Sequence, residues 1–129
     1  MIAVDTSAMI AILWQEHDAK RLRMRLADAG QSVISAGTLL ELQRVLAGAG
    51  AQKGWPEVEA LMGAYAIAVR PFDEVQLGVA REAALRFGRG RHPAALNLGD
   101  CFAYALAKSE GLPLLYVGND FARTDIAAA

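Results

Sequence analysis

Short apolar runs, rich in β-branched residues, alternate along the chain with longer segments in which apolar residues recur at helical spacing. The short runs predict buried strands at residues 2–5, 32–34, 66–69 and 114–117. The longer segments predict helices at residues 8–14, 18–29, 38–47, 56–65, 73–87 and 97–110. Strands that alternate with helices in this way favour an α/β fold built on a parallel sheet.

Residues that begin and end helices support these boundaries. Thr6 or Ser7 supplies an N-cap for the first helix, Asp73 caps the fifth, and Asn97 or Gly99 opens the sixth. The glycine-rich stretch 48–54 ends the third helix. The chain has 129 residues and contains no internal repeat or low-complexity linker, so we expect one domain spanning residues 1–129.

Four acidic residues, far apart in sequence, fall at the same edge of the predicted sheet. The carboxyl ends of parallel strands share one edge, where ligands bind. Asp5 ends the first strand, and Asp120 lies in the loop after the last. Glu41 lies about one turn into the helix after the second strand, and Asp100 opens the helix that leads to the last. Whether these acids also meet laterally depends on the strand order, which spacing does not reveal.

Carboxylates that meet in a small volume repel one another, so either some are protonated or a cation binds between them. A site made only of oxygen ligands suits Mg²⁺ or Mn²⁺. Such an ion activates water and stabilises the charge that develops on a phosphodiester during hydrolysis. If the four acids meet, metal-dependent phosphodiester hydrolysis is therefore the predicted chemistry.

Each acid also has a purely structural interpretation. Asp5 can be a helix N-cap, and Glu41 can lie on a solvated helix face. Asp100 can be a favourable charge in the first turn of a helix, and Asp120 can belong to a turn. Asp125 is a surface acid near the terminus or a fifth, outer member of the group.

Composition narrows the remaining possibilities. A formal net charge of −1 does not by itself indicate a nucleic-acid binder. A single cysteine, Cys101, excludes an internal disulfide, and with only two histidines a structural zinc site is hard to build. The most apolar run, 8–14, is too short to span a bilayer, and the N-terminus lacks the pattern of a signal peptide. We therefore expect a soluble cytoplasmic protein.

Two surface features carry further hypotheses. Positive charge collects before the Asp100 helix, where contact with phosphate groups is the functional interpretation and a solvated loop the alternative; the residues are Arg81, Arg86, Arg89, Arg91 and His92. A second basic group, at residues 20–25, is better explained as a solvated helix face. The helix at 8–14 is apolar nearly all round, which indicates either a partner or dimer contact or plain core packing.

Taken together, four segments resemble the PIN-domain ribonucleases, and specifically the VapC toxins of bacterial toxin–antitoxin pairs. The segments are residues 1–8 (MIAVDTSA), 36–41 (AGTLLE), 96–107 (LNLGDCFAYALA) and 114–121 (LLYVGNDF). Each is weak alone, but their order and spacing are specific, and the likeness covers nearly the whole chain.

The resemblance implies a PIN-like three-layer α/β/α fold with four or five parallel strands, and an endoribonuclease that depends on Mg²⁺ or Mn²⁺. Asp5 and Asp100 match the family's principal metal-binding acids, Glu41 matches the acid that completes the cluster, and Asp120 matches a fourth acid whose contribution varies. Ser7 matches a small polar residue that supports the first acid. Little chain follows Asp125, which leaves little room for a fifth strand.

The resemblance also implies partners. Members of the family form homodimers and bind the C-terminal segment of a VapB-type antitoxin, so a homodimer or a toxin–antitoxin hetero-oligomer is expected, together with an RNA substrate. No membrane partner is expected.

Other classes compete with the ribonuclease. A catalytically silent interaction domain with the same fold is the main alternative, and the intact set of four acids argues against it. A phosphoacceptor domain would need a second acid beside Asp5 and a lysine after the last strand. A dinucleotide-binding domain would need a glycine fingerprint where Asp5-Thr6-Ser7 stands.

Overall fold

The computed structural model describes residues 1–49 and 54–129; part of the glycine-rich stretch 48–54 therefore lies outside the described residues. The strands and helices follow one another as β1 (Ile2–Val4), α1 (Thr6–Leu13), α2 (Ala19–Ala29), β2 (Ser32–Ser35), α3 (Ala36–Gly48), α4 (Trp55–Ala64), β3 (Ile67–Arg70), α5 (Glu74–Phe87), α6 (Leu98–Glu110) and β4 (Leu114–Leu115). A short 3₁₀ turn covers Phe121–Arg123.

The strands form one parallel sheet in the order β3-β2-β1-β4, which confirms the predicted α/β class. Ala3 of β1 pairs with Val33 of β2 on one side and with Leu114 of β4 on the other. Residue Ala128 forms a single parallel bridge with Leu114, so beyond β4 the described residues add one bridge rather than a fifth strand.

Each face of the sheet has its own apolar core. Successive residues of a strand point to opposite faces. On β1, Val4 packs into the core formed with helices α1 to α4, whereas its neighbour Ala3 packs into the core formed with α5 and α6. On β4, Leu115 and Leu114 divide in the same way. The fold thus has the three α/β/α layers implied by the family resemblance.

Several boundaries differ from the sequence prediction. Helix α1 begins at Thr6, and its N-cap is Asp5 rather than Thr6 or Ser7, because the Asp5 side chain accepts a hydrogen bond from the Ser7 N–H. Helix α3 begins two residues earlier than predicted because Ser35 caps it through the Gly37 N–H.

The predicted third and fourth strands were also misplaced. Strand β3 begins one residue late because Ala66 has a φ of 50° and belongs to the preceding turn. Strand β4 has two residues rather than four. It ends early because the Val117 N–H donates to the Ser7 side chain instead of to a neighbouring strand.

The apolar helix α1 is explained by core packing. Only Ser7 and Ile10 are less than fully buried, and Ile10 packs against the same core. Trp14, directly after the helix, is 40% exposed. Most of the apolar surface of the helix is therefore used in core packing, while Ile10 and the adjacent Trp14 stay partly exposed. None of the helices in the described ranges combines the length and the apolarity needed to cross a bilayer.

Candidate active site

The strand order supplies the lateral information that the sequence lacked. Strands β2, β1 and β4 are neighbours, and the four acids follow or precede these three strands. Asp5 leaves β1, Asp120 follows β4, Glu41 lies on the helix after β2, and Asp100 lies on the helix before β4. The connections diverge on either side of β1, which is where a parallel sheet opens a binding crevice.

Asp5 is buried, and its two carboxylate oxygens have different environments. Oδ2 accepts hydrogen bonds from the Ser7 N–H at 3.0 Å and the Ser7 hydroxyl at 2.6 Å. Oδ1 is buried without a hydrogen-bond partner among the described residues. Burial raises the pKa of Asp5 to about 6, the hydrogen bonds from Ser7 act to lower it, and the charge of Glu41 raises it further. Such a bare buried oxygen needs a ligand or a proton.

Ser7 connects the ends of two strands. Its hydroxyl donates to Asp5 and accepts a hydrogen bond from the Val117 N–H at 3.0 Å, just beyond β4. Because the hydroxyl is used in both directions, the position of the Asp5 carboxylate is coupled to the loop that carries Asp120.

Asp100 is held by the first turn of α6. Its N–H donates to the Asn97 side chain at 2.9 Å, and its own Oδ2 accepts from the Asn97 N–H at 3.0 Å, which forms a reciprocal capping box. Burial raises the pKa of Asp100 to about 7, and the Asn97 hydrogen bond acts to lower it. The charges of Asp5, Asp120 and Glu41 raise it further, so all four acids interact electrostatically at this point.

Glu41 is positioned by the Thr6 hydroxyl and by the space beside Gly99, which has no side chain. The Thr6 hydroxyl donates a hydrogen bond to Glu41 Oε1. A Cβ atom on Gly99 would overlap Glu41 Oε2, so only glycine leaves room for the carboxylate beside the start of α6. Glu41 therefore contacts both the residue after Asp5 and the residue before Asp100.

The two remaining acids differ in role. Asp120 is exposed at the start of the 3₁₀ turn and interacts with Asp100 through its charge. Asp125 accepts hydrogen bonds from the Tyr104 hydroxyl at 2.7 Å and Lys108 Nζ at 2.8 Å. Burial acts to raise the pKa of Asp125, but these hydrogen bonds together with the charge of Lys108 hold the pKa below its usual value. Asp125 is thus engaged in tying the C-terminal segment to α6.

The chemistry of the acids suits a hard cation, although their side chains are not arranged as a complete set of ligands in the described residues. Within residues 1–49 and 54–129, no three His, Cys, Asp or Glu side chains stand close enough to form a complete metal cage. The donor set is nevertheless made only of oxygens, two of the carboxyls have raised pKa values, and Asp5 Oδ1 lacks a partner among the described residues. A divalent cation would satisfy that oxygen and relieve the repulsion.

The residues of the predicted basic segment differ in exposure and in the contacts they make. Arg89 and Arg91 are exposed, and Arg89 lines a surface cavity with Asn97 and Leu98 at the start of α6. Arg86 lies 3.5 Å from Asp125 and over the ring of Phe87. His92 Nδ1 accepts a hydrogen bond from the Ala94 N–H, so one ring nitrogen shapes the loop.

Cys101 is buried at the start of α6. Burial, aided by the charge of Asp100, raises the pKa of its thiol and disfavours the reactive thiolate. Sequence reasoning missed the contact of Thr6 with Glu41 and the steric role of Gly99. The sequence signal for the role of Gly99 was a small residue directly before Asp100. That signal can be interpreted only once the packing of α3 against α6 is known.

Comparison with known proteins identifies the fold independently. The family described as PIN domain matches residues 2–127. A protein named Ribonuclease VapC from Mycolicibacterium smegmatis is 41% identical over 127 residues, covering 98% of both chains. Ribonuclease VapC30 from Mycobacterium tuberculosis is 37% identical over 126 residues, covering 98% of this chain and 96% of its own.

Two solved structures share the fold at low sequence identity. The crystal structure of Mycobacterium tuberculosis VapC20, described as a Sarcin-Ricin loop cleaving toxin, has a TM-score of 0.78 and 16% identity, covering 100% of this chain and 98% of its own. A toxin-antitoxin complex from Klebsiella pneumoniae has a TM-score of 0.70 and 17% identity, covering 100% of this chain and 97% of its own.

Proposed function

The chain belongs to the PIN domain family and is similar over nearly its whole length to VapC ribonucleases, and from that premise we propose that it is a Mg²⁺- or Mn²⁺-dependent endoribonuclease, the toxin of a VapBC-type pair. The observation that carries the proposal is the environment of Asp5 and Asp100. Both carboxyls are buried, both have raised pKa values, and Asp5 Oδ1 has no partner among the described residues.

In this proposal Asp5 and Asp100 hold the divalent ion, and Glu41 completes its shell directly or through water. When bound, the ion supplies an activated water and stabilises negative charge on the phosphodiester. Ser7 fixes the Asp5 carboxylate, and Thr6 fixes Glu41. Asp120 contributes charge from the exposed rim. No side-chain nucleophile is required.

RNA would approach across the start of α6. Arg89 and Arg91 are the cations we assign to phosphate contact, because both are exposed and Arg89 lies beside Asn97. His92 contributes less, since its Nδ1 is already hydrogen-bonded within the loop. Arg86 is the weakest of the four predicted contacts, because it is shared with Asp125 and Phe87.

We further propose a VapB-type antitoxin as partner and action on RNA in the cytoplasm, with residues 1–129 forming one PIN domain. The support comes from relatives named VapC and from the structural likeness to a chain of a toxin-antitoxin complex. Toxin homodimers or hetero-oligomers with the antitoxin are the assemblies to expect. Size-exclusion chromatography with light scattering, on the toxin alone and with its antitoxin, measures both.

RNA cleavage tests the activity. Purified protein is incubated with labelled RNA and Mg²⁺ or Mn²⁺, with and without chelator, beside Asp5→Asn and Asp100→Asn. Asp28→Asn, which alters an exposed acid on α2, is the matched control. We expect metal-dependent cutting by wild type and control, and none by the two site variants. Cutting that survives both substitutions contradicts the site. A protein that cuts none of a broad set of RNAs is better described as a silent interaction domain.

A further inference from the structure

Beside the carboxylates, helices α3 and α6 enclose a pocket of about 330 Å³ that the proposed chemistry does not use. Residues of α3 at helical spacing form one wall, namely Gly37, Leu40, Glu41 and Arg44. Residues of the first two turns of α6 form the other, namely Leu98, Gly99 and Phe102. Its size is at the lower end of the range for pockets that bind small organic groups.

The pocket is apolar and open, which is unusual for a surface. Leu40 is 71% exposed and Leu98 is 77% exposed, and both lie at its rim. Large exposed apolar side chains that flank a cavity indicate a surface that is covered by a ligand in use. Arg44 adds a cation to this otherwise apolar wall.

Phe102 is held so that part of its ring remains available. On one side the ring lies against the backbone of Gly37, where a Cβ atom would overlap it. The Phe72 ring meets it edge-on with centroids 4.8 Å apart. Phe102 is therefore a rigid aromatic surface, half-buried in the molecule, that still lines the pocket.

The pocket is continuous with the carboxylate cluster. Glu41 belongs to both, and Gly99 lies directly before Asp100. A ligand that extends from the acids across the start of α6 reaches the pocket next. For a polynucleotide whose phosphate lies at the acids, the next group along the chain is a nucleobase.

We propose that this pocket binds the nucleobase adjacent to the scissile phosphate and thereby contributes to sequence preference. The inference rests on the proposed ribonuclease function. Unstacked bases of single-stranded RNA bind on aromatic rings and arginine planes, and Phe102 and Arg44 are residues of these two kinds. Leu40 and Leu98 exclude water from the base, while Glu41 and Arg44 offer an acceptor and donors to its edge.

The test uses the exposed rim residues, whose truncation leaves the core intact. The variants are Leu40→Ala, Leu98→Ala, their combination and Arg44→Gln. Leu85→Ala is the matched control, because Leu85 is 61% exposed on α5 and lines a different surface cavity. Each protein is assayed on an RNA that wild type cuts, and on copies with one abasic nucleotide at each position flanking the cleavage site.

We expect the double variant to lose kcat/KM on the order of 10-fold, the effect of one stacked base, and to show altered base preference. Wild type should suffer a similar loss on RNA that is abasic at one flanking position. The variant should lose less on that RNA than wild type does, since its contact with the base is already weakened although Phe102 and Arg44 remain. The control should match wild type throughout.

Three results separate the pocket from the activity. If the variants retain wild-type kcat/KM and base preference, the pocket does not bind a base, and the proposed ribonuclease activity is unaffected. Variants that cut normally but escape antitoxin inhibition overturn base binding in favour of a protein-binding groove. If wild type cuts no RNA, the proposed function fails, and titration with AMP, GMP, CMP and UMP decides the pocket separately. NMR shifts of the Leu40 and Leu98 methyl groups then support base binding, and their absence overturns it.

Discussion

At the scale of single residues, the two principal acids serve the fold and the site at once. Asp5 is the N-cap of α1, and Asp100 is half of the capping box of α6. The sequence offered a structural role and membership of the cluster as alternatives for each acid. The structure shows the structural role of both, and the charges of Asp5 and Asp100 also interact. In each carboxyl, Oδ2 accepts a backbone hydrogen bond, from the Ser7 N–H in Asp5 and from the Asn97 N–H in Asp100.

The cost of burying these charges predicts that the site destabilises the metal-free protein. The pKa values of Asp5 and Asp100 are raised from an ordinary 3.8 to about 6 and about 7. A raised carboxyl pKa means that the folded state holds its proton more tightly than the unfolded state. The associated stability is fully present below pH 3.8 and is lost as the pH rises through 6 to 7.

Asp5→Asn and Asp100→Asn remove this loss while keeping a carbonyl oxygen for the cap. At pH 8 in chelator, we expect each variant to be more stable than wild type by on the order of 1–3 kcal/mol. The difference should shrink towards pH 4. Urea unfolding at both pH values measures it, with Asp28→Asn as control. Variants that are less stable than wild type at pH 8 would contradict the electrostatic description.

Gly99→Ala should impair activity without unfolding the protein. The new Cβ would displace the Glu41 carboxylate, which is the end of a flexible side chain and moves at little cost in stability. Displacement of a positioned carboxylate predicts a fall in RNA cleavage on the order of 10- to 100-fold.

Gly78→Ala on α5 is the matched control, because its Cβ would meet nothing within 4 Å. That variant should cut RNA normally and gain about 0.5–1 kcal/mol of stability. Equal activity of the two variants would show that Glu41 has no required position.

At the scale of elements, the sequence predicted the helices and strands of the described residues and the caps of α5 and α6, but it missed several other boundaries. The cap by Ser35 went unrecognised, and Asp5 was only one of three candidate caps for α1, because several polar residues stand near each boundary. Strand β4 was overestimated because its apolar residues continue to Val117, whereas its hydrogen bonds do not. The pattern of apolar residues indicates which residues are buried, whereas the backbone hydrogen bonds between strands determine where a strand ends.

The start of α6 is the element on which the site depends most. Asn97→Ala removes the acceptor for the Asp100 N–H and should cost about 1 kcal/mol of stability. We expect a lower Tm and reduced RNA cleavage, because the turn that carries Asp100 becomes less ordered. Asp18→Ala is a useful comparison, since Asp18 holds the same position on α2 without a capping hydrogen bond. Equal losses in the two variants would contradict a special role for the α6 cap.

At the scale of the whole molecule, topology explains why four acids spread over the chain share one rim. The sequence predicted that the four acids lie at one edge of the sheet, because the directions of strands and helices follow from their alternation along the chain. It did not establish the strand order β3-β2-β1-β4, which places Glu41, Asp5 and Asp100 around adjacent strands. Contacts between separate elements, such as Thr6 with Glu41 and Gly99 with Glu41, had no local signal and required the assembled fold.

Whether Asp5 and Asp100 form a divalent cation site is tested most directly by the binding of the metal itself. Calorimetric titration of Mn²⁺ into metal-free protein at pH 8 tests it without reference to any RNA. Wild type and Asp28→Asn should bind the ion and gain thermal stability as its concentration rises. Asp5→Asn and Asp100→Asn should show neither effect. Mn²⁺ binding of wild-type strength in both site variants would show that Asp5 and Asp100 do not form the cation site.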